Sequence, residues 1–234
     1  LHSRSGNSEP RFWCNDKISL NSMGLPNYGI NYYTDWIKHN YNKKPTLLSI
    51  ANVNNDETIQ MIQKIYPMDY INYPEVNVSC PNIIGKPQLA YDFEALNTFL
   101  STVMDGYSKP YGLKLPPFFD PIHIEMISSI IEKHNNIKYI TCCNSIGNAL
   151  VLENNAPVIL PKNGLGGLGG EYLLPIGLSN VYQFKKRLQN LDVIGCGGIS
   201  TKEHISQYMT VGSSLVQIGT ALWQKGTGIF SDLK

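Results

Sequence analysis

What most constrains this sequence is an alternation of short apolar runs with segments of helical periodicity, which starts at Pro45 and repeats towards the C-terminus. Thr46 to Ala51 (TLLSIA) reads as a buried strand, and Asp56 to Tyr66 follows it with Ile59, Ile62 and Ile65 at helical spacing. The unit recurs as Glu75 to Ser79 before a helix near Phe93 to Met104, and as Tyr111 to Leu115 before a helix near Ile122 to Lys133. Lys138 to Thr141 opens a fourth unit, whose helix near Leu178 to Leu188 comes only after a long Gly-rich insertion. Asp192 to Cys196 and Leu215 to Ile218 add two strands around a short helix at Lys202 to Met209. Strands that alternate with helices pair in parallel beneath a helical layer, so the class is α/β, as an open sheet or as a barrel.

Polar or reactive residues gather where these strands end: Ser79-Cys80-Pro81-Asn82, Lys114, Asn144-Ser145, Gly195 to Gly198 and Gly219-Thr220. In a TIM (β/α)8 barrel such ends converge on one mouth, where active sites lie, and we read the chain as a single barrel domain over residues 1–234. That length, 42% hydrophobic, suffices for one substantial core. A formal net charge of +1 supplies no footprint for nucleic acid or an anionic membrane. No apolar run reaches the roughly 20 residues of a membrane span, and Leu1 to Trp13 is too polar for a signal peptide. The expectation is a cytoplasmic protein with a small-molecule partner. Five cysteines without a CxxC pair point to neither disulfides nor structural zinc, and no metal site is expected.

Gly195-Cys196-Gly197-Gly198 and Gly219-Thr220 end the last two strands, where absent side chains let backbone N–H groups approach an anion. Loops after the final strands of a barrel are a recurrent phosphate site, although tight turns alone would also use these glycines. Residues 163 to 170 hold five glycines in eight positions without a dinucleotide or Walker spacing, which fits a mobile loop near a ligand or a flexible linker. Cys80 follows a strand and precedes a proline that prevents regular continuation of the ladder, so it is either an exposed reactive thiol at the mouth or a small buried hydrophobe. Asn21, Asn77, Asn82 and Asn144 fall at turns or strand ends, as turn residues or as amides for a flat, amide-rich ligand. Lys114 lies inside the apolar run Gly112 to Pro117, where a buried ammonium needs an anionic partner, from the protein or from a reduced flavin.

Together, Asn21-Ser22-Met23-Gly24-Leu25-Pro26-Asn27, Asn77 to Asn82 with Gly85 to Gln88, Tyr91 to Glu94, Asn144 to Asn148 and Gly195 to Gly198 resemble class 1A dihydroorotate dehydrogenases over nearly the whole chain. The cysteine at position 80 resembles the base of class 1, where the membrane-associated class 2 has serine.

The resemblance implies an FMN enzyme that oxidises dihydroorotate to orotate in pyrimidine synthesis, with Cys80 as base, fumarate as electron acceptor and a homodimeric assembly. It assigns the pyrimidine ring to Asn21, Asn77, Asn82, Asn144 and Ser145, and the substrate carboxylate to backbone groups of Met23, Gly24 and Leu25. It assigns Lys114 to the flavin pyrimidine edge, Asn77, Cys143 and Gly170 to the ring or ribityl chain, and Gly197, Gly198, Gly219 and Thr220 to the phosphate. The chain departs from the family at Cys142-Cys143, where a more ordinary pair is usual, and at Lys234, short of the family's terminal helix. The family also has two further barrel strands before the position of Leu1, carrying a lysine that touches flavin and orotate. Without them, Thr46 to Ala51 and Leu215 to Ile218 would be unpaired edges, and the chain is expected to be poorly soluble and nearly inactive. The alternatives are another FMN-dependent barrel oxidoreductase, or an incomplete, non-catalytic member of the family.

Overall fold

The structure is a computed structural model, which describes residues 1–41, 44–51, 54–80 and 87–234. An N-terminal hairpin of β1 (Phe12–Cys14) and β2 (Ile18–Asn21) precedes helix α1 (Ile30–Asn40). There follow β3 (Leu47–Ala51), α2 (Asn55–Ile65), β4 (Tyr73–Asn77), α3 (Phe93–Thr102), β5 (Tyr111–Leu115), α4 (Pro121–Ile131) and β6 (Ile137–Cys142). An excursion of β7 (Ile146–Leu150), β8 (Leu152–Glu153), β9 (Ala156–Pro157) and β10 (Leu165–Gly170) separates β6 from α5 (Leu174–Arg187). The chain continues through β11 (Asp192–Cys196), α6 (Lys202–Thr210), β12 (Leu215–Gln217), α7 (Thr220–Lys225) and α8 (Ile229–Asp232).

The main sheet is parallel and six-stranded, in the order β12-β11-β6-β5-β4-β3. With the excursion set aside, each strand pairs with the next in sequence, as β/α units laid side by side require. The sheet is strongly curled. Gln217 on β12 hydrogen-bonds Glu75 on β4 at 3.1 Å, whereas four strand spacings of about 4.8 Å in a flat sheet would hold them roughly 19 Å apart. The result is a half-barrel whose outer strands, β3 and β12, are edges among the described residues and expose Leu47 (38%) and Leu215 (60%).

Local chemistry sets the helix starts. Asp92 caps α3 by accepting from the Ala95 N–H at 2.9 Å, and Asp120 caps α4 just before Pro121, each cap worth about 1 kcal/mol. Leu96, Phe99 and Leu100 of α3 and Ile124, Ile127 and Ile131 of α4 then bury one face each. Asn180, itself buried in α5, clamps that helix to the segment after β5. Its Oδ1 accepts from the Phe118 N–H at 2.8 Å and its Nδ2 donates to the Phe118 carbonyl at 2.9 Å.

Three features differ from the sequence reading. The Gly-rich stretch is neither linker nor loose loop: Leu165–Gly170 is a strand, third in a four-stranded antiparallel sheet ordered β1-β2-β10-β7. Its glycines reflect close approach, for a Cβ on Gly170 (φ +97) would lie 2.3 Å from the Lys17 carbonyl. Helix α1 is additional to the expected elements, and its buried stripe is only Ile30, Thr34 and Ile37. Helix α5 begins at Leu174 rather than Leu178, because Pro175 is tolerated in a first turn.

Candidate active site

A cavity of 330 Å³ opens at the carboxyl ends of β5, β6, β11 and β12, with residues of β1, β2 and β10 in its walls. Its size suits a small-molecule ligand. The antiparallel sheet reaches it because β10 pairs with β2, setting Gly167 opposite Asn21 and Gly170 opposite Ile18. Of the residues expected at a site, Asn21, Met23, Lys114, Cys143, Asn144, Ser145, Gly170, Gly197, Gly198, Gly219 and Thr220 all line this cavity.

One end is formed by the turns after β11 and β12. Gly198 takes φ +77, and a Cβ there would sit 2.7 Å from the Leu174 backbone nitrogen, so the start of α5 itself demands glycine. Behind it, the buried Tyr208 hydroxyl donates to the Gly197 carbonyl at 2.8 Å and turns that oxygen into the protein. Gly219 is different. Its φ is −120 and an added Cβ would meet nothing within 4 Å, which places it in the open space of the cavity.

The other end is built from side chains. Asn144 follows β6 and donates from Nδ2 to Ser79 Oγ at 3.0 Å; Ser79 Oγ in turn donates to Asn77 Oδ1 at 2.9 Å. Asn144 Oδ1 accepts the Ser145 N–H at 2.8 Å, and Asn21 Nδ2 reaches the Gly167 carbonyl at 3.2 Å. The strand ends of β4 and β6 are thereby locked together. Asn77 and Leu25 line a neighbouring cleft of 170 Å³ rather than the main cavity, and Gly24 and Leu25 both take positive φ, +71 and +57. Cys80 is half-buried, directly after the buried Ser79 that Asn144 holds, and among the described residues it is not in the wall of the main cavity. Asn82 lies outside the described residues.

Between the two ends stands the half-buried Lys114, donating to Gln217 Oε1 at 2.6 Å and to Cys196 Sγ at 3.4 Å. Burial alone would pull this ammonium below its ordinary pKa, but Cys196 and Glu75 beside it hold it above. Burial and then the neighbouring Cys196 push the Cys143 thiol up to about 12, against the pull of Lys114, so it stays protonated at working pH. The sequence reading missed Lys17, Ser19, Glu171, Ser200 and Gln217, which also line the cavity. A signal existed for the network around Gln217. Glu75 is a carboxylate in the middle of the strand YPEVN, and a buried charge needs partners.

Among the described residues, no cluster of three or more His, Cys, Asp or Glu could hold a metal ion, and no helix is long and apolar enough to cross a membrane.

The sequence matches the family model described as dihydroorotate dehydrogenase over residues 1–234. It is 43% identical over 237 residues to a dihydroorotate dehydrogenase (fumarate) of Trypanosoma cruzi (strain CL Brener), covering 99% of this chain and 76% of that protein. It is 42% identical over 239 residues to the protein of the same name from Trypanosoma brucei brucei (strain 927/4 GUTat10.1), covering 100% of this chain and 76% of that one.

Proposed function

This chain belongs to the dihydroorotate dehydrogenase family, and from that premise we propose that it oxidises dihydroorotate to orotate in pyrimidine biosynthesis, with FMN as cofactor, Cys80 as base and fumarate as electron acceptor. The observation that carries the reading is the convergence in one cavity of a half-buried ammonium, a backbone-lined turn pair and the amides of Asn21 and Asn144. FMN fits each part. The N–H groups near Gly198, Gly219 and Thr220 suit a phosphate, because Gly219 leaves free the space that a side chain would fill. Lys114 supplies the cation that a reduced flavin favours at its pyrimidine edge, and Gly170 and Cys143 bound the space between. Bound there, FMN supplies the hydride acceptor.

The protein's own part is positioning and proton transfer. Asn21, Asn77, Asn82, Asn144 and Ser145 hold the pyrimidine ring by its amides, and the backbone of Met23, Gly24 and Leu25 holds the carboxylate. That fixes the substrate so that Cys80 faces the carbon next to the ring carbonyl. Cys80 as thiolate takes the proton from that carbon as the hydride leaves its neighbour, and a carbon–carbon double bond forms between the two. Fumarate then takes up two electrons and two protons. The relatives' name supports this acceptor.

Two strands seated between β12 and β3, whatever chain supplies them, would complete the eight-stranded barrel. The family resemblance also supports a homodimer working in the cytoplasm. The functional reading is tested by adding dihydroorotate anaerobically to the purified protein. It predicts a yellow protein that bleaches and regains its colour with fumarate; a protein that takes up flavin yet ignores dihydroorotate would point to another FMN oxidoreductase.

A further inference from the structure

Beneath the cavity lies a polar chain that the proposed reaction does not use. Glu75 is 5% exposed and Thr141 is fully buried, and both face the interior of the half-barrel from β4 and β6. Thr141 Oγ1 donates to Glu75 Oε2 at 2.5 Å, and Gln217 Nε2 donates to the same oxygen at 3.1 Å. The opposite end of the Gln217 amide accepts from Lys114 Nζ at 2.6 Å. This fixes the amide's orientation: an ionised carboxylate can only accept and an ammonium can only donate, so NH2 must face Glu75 and the oxygen must face Lys114. Gln217 therefore links a buried anion to the half-buried cation of the cavity. The link spans the curled sheet from its edge strand to β4.

Building on the FMN reading, we infer that Glu75 and Gln217 are positioning residues for Lys114: the amide, oriented by Glu75, holds the ammonium at the cavity, and the Glu75 charge offsets part of the positive field Lys114 presents to bound flavin. A lysine has three donors. Gln217 and Cys196 take two, which leaves one N–H for the ligand side. Glu75 and the cysteines at 196 and 143 are the titratable groups that bear on this ammonium, and Glu75 is the carboxylate among them. Burying a carboxylate is costly unless it is paired, so the pairing with Lys114 through one amide is the arrangement that makes both ions tolerable here.

The test is the two-electron midpoint potential of the purified flavoprotein and of its Glu75→Gln variant, which keeps the shape and the acceptor oxygen but removes the charge. With the offset gone, the flavin equilibrium should move about tenfold towards the reduced form, roughly 30 mV in the positive direction. The same substitution made in a Lys114→Met background should give a much smaller shift, because a buried carboxylate left without its cation neutralises and has no charge for the substitution to remove. If Glu75→Gln does not fold, Gln217→Met, which leaves the Glu75 charge in place but no longer holds the ammonium at the cavity, should shift the potential in the negative direction. An unchanged or more negative potential in Glu75→Gln, an equal shift in both backgrounds, or an unchanged or more positive potential in Gln217→Met overturns this inference and leaves the proposed function standing. A protein that takes up no flavin overturns both.

Discussion

At one end of the cavity the ligand-facing groups are backbone; at the other they are side chains. Gly197 and Gly198 are held by packing behind them, through the Tyr208 hydroxyl and the first residue of α5, and Thr220 by the Ser19 hydroxyl at 2.7 Å. Asn21, at the end of β2, instead rests on the Gly167 carbonyl, and Asn144, just past β6, depends on Ser79 and through it on Asn77 at the end of β4. A backbone donor cannot be deleted by substitution, only obstructed. A side-chain donor can be removed alone. The first end should therefore fail in an all-or-none manner and the second by degrees.

The largest effect is expected at Gly219. Gly219→Val places its side chain in open cavity, so the protein should keep its Tm and retain no flavin after dialysis. Gly198→Val makes the contrast within the same end, since its added carbon meets Leu174 and its φ of +77 disfavours any side chain. Strain and overpacking should destabilise it by about 2 kcal/mol, lowering Tm by roughly 4–8 °C in a chain of this size. Stoichiometric flavin in Gly219→Val would move the phosphate elsewhere.

At the side-chain end, Asn144→Ala removes the donor to Ser79 and an amide proposed to hold the ring. Orotate affinity, read from the perturbation of flavin absorbance, should fall about tenfold, close to 1.4 kcal/mol, with flavin content unchanged. Loss of flavin instead would merge the two ends into one. The smallest effect is expected at Cys143, whose thiol stays protonated because burial pushes it up to about 12. Cys143→Ser should leave the pH dependence of flavin reduction where it was, and a displaced profile would show that this thiol ionises during turnover.

The two ends were also unequally legible in the sequence. Strand-end residues such as Lys114, Asn144 and Gly197 stand out because the β/α alternation is local, and consecutive strands pair in order. Leu165–Gly170 does not, since a strand of glycines carries no side-chain pattern and is a strand only because β2 and β7 flank it. Helix α1 buries Ile30, Thr34 and Ile37 at helical spacing, but the middle position is polar and the exposed Tyr32 and Trp36 blur the apolar stripe. The partnership of Gln217 with Glu75 depends on the curl of the whole sheet, which brings together residues 142 positions apart. The buried charge was readable from YPEVN, but its partner was not.

In the proposed reaction the backbone end of the cavity holds FMN, and Cys80, next to the Ser79 that Asn144 holds, takes the proton. Rapid anaerobic mixing of Cys80→Ala with dihydroorotate, beside the unaltered protein, tests it most directly. A thiol must lose its proton before it can act as a base, so reduction in the unaltered protein should accelerate as pH rises. The variant should carry the same flavin content, reduce it roughly 100-fold more slowly or worse, and lose the acceleration. Reduction at the unaltered rate, with the pH dependence intact, would contradict the claim and remove Cys80 from the chemistry.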